Sequence, residues 1–242
     1  MNAINSFLFI ALPYIAIIVF LLGTIYRFRA TKYKFSSLSS QFLEGKTLFW
    51  GSVPFHWGII FLFFGHLTAF LIPKSILLWN SHPLRLIILE VTAFVFGLSA
   101  LVGMIGLLIR RLKNPRIRIV TNYMDLIIEI LLLIQIILGV WIAYEFRWGS
   151  SWFASVLTPY LRSIFLFDPQ INAVVALPLE IQLHVIFAYL IVLAIPFSRL
   201  VHMLVYPINY LWRSYQIVIW NWSKKTIRNP ETSWTITKPK NN

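Results

Sequence analysis

Apolar residues run along the chain in five long blocks, with polar and basic residues gathered between them. The blocks cover about Phe7 to Tyr26, Trp50 to Ile72, Leu84 to Ile109, Met124 to Tyr144 and Glu180 to Tyr206. At 1.5 Å per residue each is long enough to cross a hydrocarbon layer of about 30 Å. The pattern therefore predicts an all-α integral membrane bundle of five transmembrane helices. No basic residue precedes the first block and no small-residue cleavage site follows it, so it is expected to be a retained helix and not a secretory signal. The connection from about Glu145 to Leu179 is rich in aromatics and proline, and is expected to fold back along the membrane surface as an interfacial segment. Residues 1–218 form the expected membrane domain, and residues 219–242 a polar tail. Neither an internal repeat nor a low-complexity stretch is visible.

Composition agrees with this picture and then adds direction. Of 242 residues 59% are hydrophobic and 12% charged, against about a quarter charged in an ordinary soluble domain. Too few polar side chains remain to coat a water-soluble surface. The formal net charge is +13, from 21 Lys+Arg and 8 Asp+Glu. In so apolar a chain this excess points to cytoplasmic loops and acidic lipid head groups, and not to nucleic acid. Sixteen basic residues follow the first, third and fifth blocks (Arg27 to Lys46, Arg110 to Arg118, Arg213 to Lys240). Four lie in the other connections (Lys74, Arg85, Arg147, Arg162), and Arg199 is inside a block. The bias puts the N-terminus outside and the C-terminus in the cytoplasm.

There is no cysteine. That excludes disulfides, Cys-ligated iron–sulfur clusters, covalently attached c-type haem and a thiol nucleophile. Any redox metal must be held by His, Met or carboxylate.

Of the five histidines, His82 beside Pro83 reads as a solvated loop residue. The other four lie inside apolar blocks, where ionisable side chains are costly and usually functional. His56 and His66 are on the second span, His184 and His202 on the fifth, which runs the opposite way. His56 then matches His202 in depth, and His66 matches His184. This suits two stacked bis-histidine b-type haems, each held by one imidazole from each helix. Isolated metal ions or plain helix packing are the alternatives. His184 and His202 are eighteen residues apart, five turns of a continuous helix, so they would share one face. Their axial separation of ~27 Å exceeds the ~15 Å between His56 and His66, a mismatch that helix tilt would absorb. Gly51, Gly58 and Gly65 either let a flat macrocycle approach the backbone or serve helix packing.

Charged residues near these histidines have paired readings too. Arg199, one turn before His202, suits a haem propionate through its bidentate fork, or snorkels to the interface. Arg110 and Arg111 compete for that role or belong to the topogenic cluster. Glu90 relays a proton from a quinol, or is a packed, protonated carboxyl. Asp125 and Glu129 are placed to offset the nearby arginines.

These residues carry a resemblance. GSVPFHWGIIFLFFGH (Gly51 to His66), IRRLKNPRIR (Ile109 to Arg118), and PFSRLVH with YPINYLWRSYQ behind it (Pro196 to Gln216) resemble the gamma subunit of membrane-bound respiratory nitrate reductase, a dihaem cytochrome b. LIPKS after the second span and PYLRSIFLFDP (Pro159 to Pro169) are similar to members from Gram-positive bacteria. The resemblance covers about residues 5–218. It implies one haem near the cytoplasm ligated by His56 and His202, and an outer one ligated by His66 and His184. It also implies a quinol site, for menaquinol or ubiquinol, involving Gly65, His66 and a basic residue at the start of the third span. Members often carry Lys there, and Arg85 is the candidate here. Electrons would pass from quinol through both haems to an iron–sulfur beta subunit, and on to a molybdenum alpha subunit holding the nitrate site. Related cytochromes of nitrite-oxidising, sulfite-reduction or heterodisulfide-reductase-type assemblies are the nearest alternatives. A proton-coupled permease is the alternative from another class; a broken helix or inverted repeat would favour it, and the sequence shows neither.

Overall fold

A computed structural model describes residues 2–31, 43 and 45–205. All regular structure among them is helical. In chain order the helices are α1 (Ala3–Ala30, with one π-helical turn at Phe7–Ala11), α2 (Lys46–Leu71), α3 (Pro73–Asn80) and α4 (Pro83–Lys113). Next come α5 (Pro115–Ile119), α6 (Tyr123–Glu145), α7 (Gly149–Trp152), α8 (Thr158–Phe165) and α9 (Asn172–Val175). Last are α10 (Leu179–Ala194) and α11 (His202–Val205). Among the described residues, α1, α2, α4, α6 and the segment Leu179–Phe197 are long and apolar enough to cross a membrane. Many large apolar side chains, among them Leu22, Phe64, Leu78 and Val102, stay exposed. So much exposed apolar surface belongs against lipid.

Local chemistry sets the helix ends. Proline opens α3, α4 and α5, where its missing N–H costs nothing. The last turn of α4 carries Arg110, Arg111 and Lys113, cations suited to the negative end of a helix dipole. Asn122 and Asp125 close a reciprocal capping box on α6, satisfying two N–H groups that the helix leaves open.

Around the bundle α2 packs on α4, α4 on α6, α6 on α10, and α10 on α1. The α2–α4 seam is the tightest. A Cβ on Gly58 would stand 2.7 Å from the Ala100 Cβ, and one on Gly103 would collide with the Phe55 backbone. Gly51 likewise abuts Leu107. Gly51 and Gly58 therefore serve helix packing, the second of their two readings. Ser99 Oγ fastens the same seam by donating to the Pro54 carbonyl at 3.0 Å. By contrast, α2, which carries His56 and His66, is not among the close packing partners of α10, which carries His184, or of α11, which carries His202.

Two expectations need correction. The connection between α6 and α10 does not merely lie along a surface. Its helices bury Leu157, Tyr160, Ile164, Ile171 and Val174 in one cluster with Phe9, Ile142, Ile181 and Val185. Burial holds the Tyr160 phenol well above its ordinary pKa, and its hydroxyl donates to the Phe9 carbonyl at 3.0 Å.

The fifth span, expected as one helix from Glu180 to Tyr206, is interrupted. Pro196 offers no N–H to the carbonyl one turn back; the chain tightens into a 3-10 turn at Ile195–Phe197 and becomes extended at Ser198 (φ −113°, ψ 177°). A second such turn, Arg199–Val201, leads into α11. The eighteen-residue spacing therefore no longer places His184 and His202 on one face. Tyr206 and the expected tail, 219–242, lie outside the described residues, as do Lys32, Lys34 and the basic residues from Arg213 onward.

Candidate functional site

The interruption does not prevent His202 from meeting His56. Their ring centroids lie 6.1 Å apart, with the ring planes inclined by 62°. Each imidazole is pinned by its own helix. His56 Nδ1 donates to the Ser52 carbonyl at 2.7 Å, and His202 Nδ1 donates to the Arg199 carbonyl at 2.7 Å. A carbonyl only accepts, so in this arrangement the proton sits on Nδ1 and the lone pair on Nε2. His66 is held in the same way, Nδ1 to the Leu62 carbonyl at 2.8 Å. A metal-bound imidazole usually has this second-atom anchor, which fixes tautomer and ring orientation.

The other pair is built differently. His184 makes its contacts to α6. Its Nε2 faces the Gln135 side-chain amide nitrogen at 3.2 Å. The Nδ1 of His184 and the Oε1 of Gln135 are buried without hydrogen-bond partners. One turn along α6, a Cβ on Gly139 would come within 3.1 Å of His184 Cε1, so that glycine makes room for the ring. On the opposite side His66 is exposed and meets the edge of Phe153 at 5.1 Å between centroids. Gly65 has open space where a Cβ would project.

The other predicted residues take the following places. Arg85 is exposed and stacks its guanidinium over Trp79, 5.2 Å from the ring centre. Glu90 accepts from Gly149 N (3.2 Å), Ser150 N (2.9 Å) and Ser150 Oγ (2.6 Å), which ties α4 to the first turn of α7. Arg199 pairs through Nε with Asp125 Oδ1 at 2.9 Å, and donates from a terminal nitrogen to the Val120 carbonyl at 2.8 Å. Arg111 Nε lies 2.6 Å from Glu129 Oε2, and a second Arg111 nitrogen lies 3.7 Å from Asp125. Asp125 and Glu129 thus offset these arginines, as their positions suggested. His82 is exposed at the start of α4.

Two residues of the site escaped the sequence reading. Gln135 is an isolated amide within the apolar run of α6, and polar residues at that depth tend to bind across helices. Arg27 counts in the sequence only as a loop charge. In the structure it donates to the Pro196 and Ser198 carbonyls at 2.7 and 2.6 Å. Among the described residues no group of three or more His, Asp and Glu converges on a metal position. Among the four intramembrane histidines, His56 and His202 meet ring to ring.

The sequence model of the family described as nitrate reductase gamma subunit matches residues 5–221. The chain belongs to that family. It is 32% identical over 211 residues to the nitrate reductase gamma chain of Bacillus subtilis, covering 85% of this chain and 94% of the relative. It is 34% identical over 221 residues to the respiratory nitrate reductase 2 gamma chain of Escherichia coli, covering 89% and 96%. The E. coli respiratory nitrate reductase 1 gamma chain is 32% identical over 224 residues, covering 90% and 98%. Membership in the nitrate reductase gamma subunit family and five span-length helices together describe a multi-pass membrane subunit of an oxidoreductase complex.

Proposed function

We propose that this chain oxidises quinol and passes the electrons to the cytoplasmic subunits of a nitrate reductase, using two haem b groups held between α2 and α10–α11. The observation that carries this reading is the meeting of His56 and His202 from segments that do not pack closely on each other. With ring centres 6.1 Å apart, these two imidazoles would hold the iron of one haem. The nearby Ser52 and Arg199 carbonyls supply the anchors such ligands need. His66 and His184 would hold the other haem.

Each haem, when bound, supplies a one-electron carrier, and the pair would connect a quinol to an iron–sulfur beta subunit and a molybdenum alpha subunit. The chain's own residues do the rest. Gly65 leaves space beside His66 for the ring of menaquinol or ubiquinol, and Arg85 and Glu90 stand at the same end of the bundle. Glu90, whose carboxylate accepts from Gly149 N, Ser150 N and Ser150 Oγ, is the candidate to take a proton from the quinol hydroxyl. At the opposite end Arg199 and Arg111 would meet propionates, sharing them with Asp125 and Glu129. The basic bias supports a cytoplasmic side for His56 and His202 and an outer side for His66 and His184.

An interrupted helix is also a feature of permeases, where freed carbonyls line the substrate path. Here the carbonyls at the break are taken up by Arg27, which favours a structural joint over an ion path. A dithionite-reduced optical spectrum of membranes carrying the complex tests the proposal. A b-type alpha band is expected, and His66→Ala and His184→Ala are expected to abolish the same haem component, leaving that of His56 and His202. A spectrum with no alpha band, or loss of different haems in the two variants, refutes it.

A further inference from the structure

The segment carrying His202 is not continuous with α10, so its position depends on what holds the break. Two charged side chains do so from opposite sides. From α1, Arg27 donates to two carbonyls at the break, Pro196 O at 2.7 Å and Ser198 O at 2.6 Å. From the start of α6, the buried Asp125 (2% exposed) takes Arg199 Nε at 2.9 Å. Asp125 is itself fixed by the capping box, Asp125 N to Asn122 Oδ1 at 2.8 Å and Asn122 N to Asp125 Oδ2 at 3.1 Å. Arg199 is gripped a second time at the Val120 carbonyl. The carbonyl of this doubly held residue accepts the His202 Nδ1 proton.

Resting on the two-haem reading above, we propose that Arg27 and Asp125 are positioning residues for His202. Arg27 fixes where the fifth span resumes after Ser198. Asp125 fixes Arg199, and through the Arg199 carbonyl the tautomer and orientation of the imidazole. No such relay reaches His66, whose Nδ1 is anchored within an unbroken helix. The two haems are therefore expected to differ in their dependence on distant charges. The His56–His202 site needs a guanidinium from α1 and a carboxylate from α6, while the His66–His184 site needs neither.

The test uses the whole complex in its membrane, with Arg27→Met and Asp125→Asn as variants. Asn at 125 keeps an acceptor for the α6 capping box and removes the charge that holds Arg199. Redox titration followed at each haem's alpha band, with haem content per chain, is the readout. In both variants the haem of His56 and His202 is expected to shift its reduction potential and to be retained roughly tenfold less well. The haem of His66 and His184 should keep its potential and occupancy. Arg27→Lys, which can still donate to both carbonyls, should restore most of the inner haem's behaviour. Should a variant fail to accumulate, Arg27→Lys and Asp125→Glu are expected to give a smaller shift of the same haem.

An unchanged inner haem in these variants overturns the proposal, and so does an equal change in both haems, which marks a general structural role. His56→Ala and His202→Ala in the same membranes separate the two levels. If they fail to remove one common haem, the two-haem reading falls; if they do remove it while the Arg27 and Asp125 variants leave it intact, only the positioning role falls.

Discussion

At the scale of single residues, the four intramembrane histidines were legible in the sequence because buried ionisable groups in apolar runs are rare and costly. The meeting of His56 with His202 was also legible, since antiparallel spans map position onto height. What surrounds the rings was not. The anchors on three of them are backbone carbonyls at Ser52, Leu62 and Arg199, which carry no side-chain signature. His56 also has the Ser52 hydroxyl 3.0 Å from its Nδ1, and His184 has the Gln135 amide 3.2 Å from its Nε2. If its Nε2 is given to iron, the Nδ1 donor and the Gln135 Oε1 acceptor remain, both buried and without partners in the present arrangement. Gln135→Leu should therefore weaken retention of the haem held by His66 and His184 by roughly ten- to a hundredfold. The other haem should be unaffected. Haem content after detergent washing measures this, and equal retention of both haems would count against it.

At the scale of elements, glycines with the same two readings in the sequence separate by their surroundings. Gly58 lies in a seam where a methyl group has no room, whereas Gly65 opens onto empty space. Gly58→Ala should cost about 1–3 kcal/mol through overpacking of α2 against α4, seen as a lower Tm of the detergent-solubilised complex. Gly65→Ala should leave Tm nearly unchanged, within about 0.5 kcal/mol, while slowing quinol oxidation. A Gly65→Ala enzyme with unaltered quinol kinetics would remove that residue from the quinol site. Five apolar blocks were plain in the sequence because a membrane demands length and hydropathy above all. The interruption of the fifth was hidden because Pro196 and Ser198 sit in an otherwise apolar stretch. In membrane helices proline is tolerated when neighbours satisfy the backbone, and the neighbour here, Arg27, lies 169 residues away in sequence. The packing of the helical cap between α6 and α10 was hidden for a related reason. Its aromatics and prolines suit an interface as well as a core, and only the contacts with Phe9, Ile142 and Ile181 decide between them.

At the scale of the whole molecule, the absence of cysteine is a practical advantage. Single cysteines introduced at Ser81 and at Arg116 provide a direct test of sidedness. A membrane-impermeant thiol reagent added to intact cells should label the Ser81→Cys chain, and label Arg116→Cys only after the cells are opened. The reverse pattern would invert the direction of electron movement proposed above. The series of contacts α2, α4, α6, α10, α1 also means that the first span finds its neighbour in the fifth. During synthesis, at about 5–20 residues per second, Arg27 enters the membrane on the order of 10–30 s before Pro196 and Ser198 are made. Through that interval its guanidinium must reach for water at the bilayer edge. Assembly is thus a closing step, in which the arriving final segment draws an early, hydrated cation inward and completes one histidine pair at the same moment.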